Sequence, residues 1–467
     1  MPPPIIAILI ARPKVALPRI PSGNQDAAPV ERPTRRRRSI IPWPAGGASN
    51  SHGNAPVWFA SGMRLSTDHI LVSHTGNLPR PEALDRLIEI GGGTTVSPRL
   101  IDHYAFRQRL PRAVQGIVDR QVALGVDIVN DGEYVKAGSY GGYIYERLTG
   151  FEWQPYDPVL GPKRAPPSGR DALEFPNIYD SGLWYAGAGG PIRPGFMTPG
   201  ARPPEPTQLR VCCGPVEYAG QNAIAEDIRN LQAAIAGKPV DGFISSLGPL
   251  SVGAGFRNEY YADEGTYLMA VAEAVRAEYL AITDAGLIVQ IDEPEFATSW
   301  QFYPDWTLSD LRDYLTMCVE VINHALDGLP EELIRFHFCW ASPHRPHVND
   351  IELRHILDLL VQINAQAYAF EAANVRHEHE WEAWKDIVVP DNKILMPGII
   401  THSTDLVEHP RLVANRLKNY ATIVGRERVH AGTDCGMGSR VGHEDIVWAK
   451  FTSMAEGARI ASNELWN

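Results

Sequence analysis

Nowhere in the 467 residues is there an uninterrupted apolar run near the roughly 18–20 residues that a membrane-spanning helix needs. Positive charge is also in deficit. Against 55 Asp and Glu stand 43 Lys and Arg, a formal net charge of −12, which argues against nucleic acid or an anionic membrane as the main partner. Cysteine is scarce: Cys212, Cys213, Cys318, Cys339 and Cys435 are the whole set. An odd, dispersed set of this kind does not make a secreted disulfide framework, so a reducing cytoplasm is expected, with thiols free for metal or catalysis. No G-x-G-x-x-G follows the first apolar strand, which removes the support for a doubly wound dinucleotide-binding sheet. What is present is ordinary globular composition, 44% hydrophobic and 21% charged, with room for one large domain and appendages.

Residues 1–67 are punctuated by proline, carry the basic run "RRRR" and continue into a Gly/Ser/Asn-rich stretch. They read as a disordered extension. From residue 68 onward the order changes. The strand "HILVSHTGNLPRP", the helical "RLIDHYAFRQRLPRAVQGIVDRQVALGVD" and the strand "IVNDGEY" repeat the βα unit of a parallel sheet. The segment 152–208 interrupts this rhythm with dense Pro and Gly, as lids and oligomer contacts do; a homo-oligomer is left open. Alternation then resumes through "LRVCCGPVEY", "DGFISSLGPLS", "LIVQIDEP", "IRFHFCWAS", "AQAYAFEAAN", "KILMPGIITHS" and "RVHAGTDCG". About nine candidate strands result, which predicts an α/β (β/α)8 TIM barrel over residues 68–467, plus one edge piece.

The stretch "RFHFCWAS" puts His337 and Cys339 on one face of a strand and Phe336 and Phe338 on the other. An isolated pair like this is ordinarily a satisfied core histidine beside a small apolar residue. Its neighbours change the reading. Glu371, His402 and Cys435 follow at intervals of 34, 31 and 33 residues, each interval one βα repeat. All five side chains are therefore expected at the carboxyl ends of successive strands, on the face where barrel active sites form. Two thiols, an imidazole and a carboxylate predict a four-coordinate zinc site of His337, Cys339, Glu371 and Cys435. Zn²⁺ with two thiolates and a carboxylate carries a formal charge of −1, poor for polarising a carbonyl or activating water. Such a site suits holding a substrate thiol as thiolate, for attack on an alkyl carbon.

The motifs "RFHFCW", "FE", "ITHS" and "TDCG", with "VQIDEP" and "NDGE" upstream, resemble the catalytic barrel of cobalamin-independent methionine synthase. Epoxyalkane:coenzyme M transferase belongs to the same superfamily. The resemblance spans about residues 68–460, apart from the insertion, and implies a zinc-dependent thiol alkyltransferase. Its first implication is 5-methyltetrahydrofolate–homocysteine S-methyltransferase chemistry. The alternatives are addition of another thiol, such as coenzyme M, to a small electrophile such as an epoxide, and a zinc-holding partner protein without turnover. The partners implied are a small-molecule thiol and a methyl or alkyl donor. By resemblance, Asp292 and Glu133 hold the ammonium of homocysteine and His402 transfers a proton. On chemistry alone, either carboxylate can instead cap a helix, and His402 can support a zinc ligand.

Two departures bear on the substrate. No pattern for a second barrel precedes residue 68, and the family's Ile-Gly-Ser reads Thr75-Gly76-Asn77 here. Asn77 is thus the expected contact for the acceptor's carboxylate, and Arg80 adds a cation able to pair with a carboxylate or sulfonate. His344 and His347 read as residues of a loop beyond the zinc strand, with lining the mouth the lesser alternative; "RHEHEWE" is expected as the polar start of a helix, and Cys318 as core.

Overall fold

Eight parallel strands surround one axis in the computed structural model, which describes residues 62–89, 99–100, 102–136, 142–155, 169–180, 208–253, 257–341, 346–438 and 441–467. They are β1 (Leu71–Val72), β2 (Ile128–Val129), β3 (Asp241–Leu247), β4 (Ile288–Asp292), β5 (Ile334–Phe338), β6 (Ala367–Phe370), β7 (Ile394–Ile400) and β8 (His430–Thr433). Neighbours in sequence are neighbours in the sheet, and β8 returns to pair with β1. The seam between β1 and β2 is bridged by the Asp127 N–H on the Val72 carbonyl at 2.8 Å and by Ser73 Oγ on the Ile128 carbonyl at 3.0 Å. The fold is the (β/α)8 barrel that the alternation predicts.

The outer layer is α1 (His103–Ala123), α2 (Gln221–Ile235), α3 (Glu264–Asp284), α4 (Leu308–Leu326), α5 (Pro410–Val424) and α6 (Glu444–Trp466). Their starts are written locally. Asp102 and Asp263 accept from the third residue on, and Thr307 and Asp310 form a reciprocal capping box. After β5 and β6 the helices shrink to Leu357–Leu360 and the 3-10 turn Glu378–Asp386. Cys318 lies buried on α4, as expected of core. Among the described residues no helix is long and apolar enough to cross a membrane.

The barrel interior is tiered. Ile128, Phe243, Ile288, Ala367 and Ile394, all near the amino ends of their strands, form an apolar cluster with Met63. Above it Arg335 is fully buried, its guanidinium 3.9 Å from the Phe243 ring centroid and bonded to Ser73 Oγ and the His74 carbonyl. Burial pushes that guanidinium down to about 9. The third tier, at the carboxyl ends, holds His337 and Asp292.

Two sequence expectations change here. "LRVCCGPVEY" is not a barrel strand: Gln208–Cys212 pairs antiparallel with Phe151–Pro155 and parallel with Arg257–Asn258, outside the barrel. The 152–208 insertion therefore springs from a hairpin between β2 and α2. Its described part, residues 169–180, packs over the carboxyl-end face. Arg170 stacks on Trp300 at 3.3 Å and donates to the Trp300 and Trp306 carbonyls. The boundary at residue 67 is also too late. Met63 is buried and its N–H bonds the Glu332 carbonyl at 2.8 Å, while Ser66 Oγ bonds the Val429 carbonyl at 2.8 Å. Met63 closes the barrel's lower end, so the polar composition around it hides one core residue. The rest of that extension, residues 1–61, lies outside the described residues.

Truncating this plug leaves a cavity among five strands. Met63→Ala should cost about 2–4 kcal/mol of stability, read from chemical denaturation. A loss below about 0.5 kcal/mol, the usual surface value, would show that Met63 does not seal the interior.

Candidate metal centre

The alternation along β5 aims Arg335, His337 and the following Cys339 at the barrel axis. Phe336 and Phe338 pack outward against Phe296 and Phe370. Cys435 stands two residues beyond β8, and its thiol joins His337 and Cys339. One donor atom from each lies within 4.8 Å of the other two. Cys339 and His337 are buried and Cys435 is half-buried, so access comes from the Cys435 side. An imidazole and two thiols converging on one point fit a zinc-type ion.

Supporting bonds fix each donor. Asp292 Oδ1 sits 2.9 Å from His337 Nδ1 and also accepts from Gln290 Nε2 at 2.7 Å. Burial alone would push the imidazole down; the Asp292 bond and charge, with Cys435 nearby, hold it above its ordinary value. The bond to Cys435, then burial and the charges of Cys435 and Glu371, push the Cys339 thiol well up. Without a cation Cys339 thus keeps its proton, which a bound metal would displace. The Cys435 loop is clamped from β1. Thr433 Oγ1 donates to the Cys435 carbonyl, and the N–H groups of Met437 and Gly438 bond the Asn77 carbonyl.

Glu371, expected in the same four-ligand set, does not join these three donors and falls instead in an adjoining group with His402. Their donor atoms lie within 4.8 Å of each other and of Asp434, and all three side chains are buried. Glu371 Oε2 accepts the Trp340 N–H at 2.9 Å and Oε1 accepts from Asn374 at 2.7 Å. Burial, and then Asp434, push its carboxyl up to about 8. Asp434 was not singled out from sequence, although it lies inside the quoted "TDCG". Its Oδ1 receives the N–H groups of Ala372 and Ala373, both at 2.8 Å, and burial nevertheless raises it to about 6. Gly398 permits this approach, because a Cβ there would sit 2.1 Å from Asp434 Oδ1.

The residues expected to contact substrate are engaged by the chain itself. Glu133 holds a left-handed φ of 56° after Gly132. Its Oε1 accepts from Lys136 Nζ at 3.0 Å and from Ser245 Oγ. Lys136 also donates to Ser245 Oγ at 2.7 Å and the Ser245 carbonyl at 2.9 Å. Sequence reading missed this buried lysine, three residues after a predicted site carboxylate. Asp292 serves His337 as described, and Asn77 Oδ1 accepts the Gly438 N–H at 3.1 Å. Arg80 pairs with Asp85 at 3.1 Å. His344 lies outside the described residues. "RHEHEWE" is not a solvated polar start: His377 and Glu380 are buried, because Asp350 and a stacked Trp340 cover them.

A family model described as the catalytic domain of cobalamin-independent synthase matches residues 211–459. A methionine synthase of Saccharolobus islandicus is 26% identical over 225 residues, covering 48% of this chain and 59% of that protein. One from Pyrococcus horikoshii is 23% identical over 48% of this chain and 57% of its own length. The chain thus spans under two-thirds of the length of the curated relatives it matches. Among solved structures, a B12-independent methionine synthase from Shewanella sp. W3-18-1 in complex with selenomethionine superposes with a TM-score of 0.62 at 18% identity. That match covers 85% of this chain and 99% of the other. A putative vitamin-B12-independent methionine synthase from Listeria monocytogenes gives 0.55 at 17% identity, covering 85% and 99%. At these identities the likeness is one of fold.

Because Asp292 orients His337 through Nδ1, removing its charge loosens the donor set. Asp292→Asn should weaken metal binding by about 10–100-fold, measured by competition with a chromophoric chelator. Unchanged affinity would separate Asp292 from support of the metal.

Proposed function

This chain belongs to the cobalamin-independent synthase catalytic-domain family, and from that premise we propose that it transfers a methyl group to the thiol of homocysteine, giving methionine, with zinc at the Cys339 site. The observation that carries this reading is the convergence of the His337, Cys339 and Cys435 donor atoms within 4.8 Å at the carboxyl ends of β5 and β8. Glu371, whose Oε2 here accepts the Trp340 N–H, would be the fourth residue to hold the ion. A zinc ion held by these residues supplies a place where an incoming thiol stays ionised near neutral pH, against an ordinary thiol pKa of about 8.5.

The remaining work falls to the chain's own groups. The leaving group of a methyl donor of the tetrahydrofolate class is an amine, a poor one until protonated. His402 lies buried between Glu371 and Asp434, whose carboxyls are pushed up to about 8 and about 6. That trio can hold a proton at neutral pH and pass it on through the imidazole. Glu133 receives the acceptor's ammonium alongside Lys136, whose one bond to this carboxylate falls on Oε1. Residues 169–180 pack on the loops after β4 and β5 at this face, through Arg170 on Trp300 and the Asn349 N–H on Asp171.

The test is methionine formation from homocysteine and 5-methyltetrahydrofolate, followed by mass spectrometry. His402→Ala should keep its metal while turnover slows by roughly 10²–10⁴-fold, the usual share of general acid catalysis. Near-normal turnover in that variant would confine His402 to supporting Glu371. Absence of methionine from metal-loaded wild-type protein would remove the homocysteine reading.

A further inference from the structure

Behind Trp340, and sharing no residue with the Cys339 site, a second group of donors converges. Among the described residues His347, Asp350 and His377 each offer an atom within 4.8 Å of the other two. Asp350 Oδ2 lies 2.6 Å from His347 Nδ1 and 3.2 Å from His377 Nε2, so both imidazoles address one carboxylate oxygen. The atoms facing away are held as well. Asp350 Oδ1 accepts from Gln301 Nε2 at 2.9 Å, and His377 Nδ1 lies 3.2 Å from Glu380 Oε2. A carboxylate on the far nitrogen of a histidine is the usual support of a metal-bound imidazole, fixing its tautomer and direction. The Asp350 side chain is 0% exposed, that of His377 3% and that of His347 18%, so one edge is open to solvent.

We propose that His347, Asp350 and His377 bind a second divalent ion of the zinc class. Two imidazoles and a carboxylate are the N/O donor set of such sites, with the fourth position left to water. Glu380 and Asp350 bring two buried carboxylates together. In the metal-free chain their charge is met by a proton on His377, whose pKa rises to about 9; burial opposes this, and the bonds to Asp350 and Glu380 prevail. A divalent cation meets the same charge from the centre of the triangle. Tetrahedral zinc–ligand bonds of about 2.0–2.1 Å set donor atoms about 3.3 Å apart, so His347 Nδ1 and Asp350 Oδ2, now 2.6 Å from each other, must part by roughly 0.7 Å. The site ties the loop after β5 to the turn after β6. Through Gln301, and through the bond of the Asn349 N–H to Asp171 at 2.9 Å, it also reaches the insertion over the mouth.

The experiment is metal analysis of the full chain after zinc chloride loading and dialysis. Wild type should hold about two zinc per chain and His347→Ala about one, since a site reduced to two protein ligands loses most of its affinity. His347 is chosen because its partial exposure spares the fold. The complementary variant Cys339→Ser/Cys435→Ser should retain about one zinc, with only N/O neighbours near 2.0 Å by X-ray absorption. One zinc in wild type with no change in His347→Ala, or no zinc in the double cysteine variant, would overturn the proposal. The group would then be an ion-pair network only.

Discussion

The inward turn of alternate residues along β5 is the constraint on which the candidate site rests. A parallel strand buried on both faces must satisfy two environments at once. Phe336 and Phe338 meet the helix layer, while Arg335, His337 and Cys339 face the axis. A slip of one residue would exchange the two sets and abolish core and site together. That register is pinned on both sides, by the pairing of His337 with Asp292 on β4 and with Ala369 on β6. The same Asp292 then reaches His337 Nδ1 with its side chain, so strand register and donor orientation come from one neighbour.

Above the apolar plug the barrel gathers acidity. Asp131, Glu371 and Asp434 are all raised by burial, and Asp292 and Glu133 stand nearby. Buried anions at this density are stable only when protons, cations or fixed N–H groups answer them. The chain uses all three. Lys136 answers Glu133, the N–H groups of Ala372 and Ala373 answer Asp434, and Glu371 keeps a proton until something better arrives. A metal bound by Cys339 and Cys435 belongs to the same balance, which couples its uptake to proton release.

Spacing made the barrel legible, because a βα repeat of 31 to 34 residues places matching residues at matching strand ends; it brought His337, Cys339 and Cys435 together but did not tell that Glu371 stands with His402 and Asp434 instead. What stayed hidden has local causes. Met63 is a lone core residue in polar surroundings and has no periodicity to reveal it. "LRVCCGPVEY" has the composition of a barrel strand but pairs with the base of the insertion, a tertiary choice that pattern does not encode. Lys136 lies three residues from Glu133 and Asp434 lies next to Cys435, yet their partners Ser245, Ala372 and Ala373 are distant in sequence. His377 and Glu380 sit in a run of alternating charge that reads as solvated, and only the fold brings Asp350 and Trp340 over them.

The central claim is that Cys339 and Cys435 hold a zinc ion that accepts a substrate thiol. Zinc-edge X-ray absorption of the His347→Ala chain, with and without homocysteine, tests it most directly. The account predicts two sulfurs at about 2.3 Å with N/O neighbours, rising to three sulfurs when homocysteine is added. A sulfur-free shell, or one that homocysteine leaves unchanged at millimolar concentration, would contradict it.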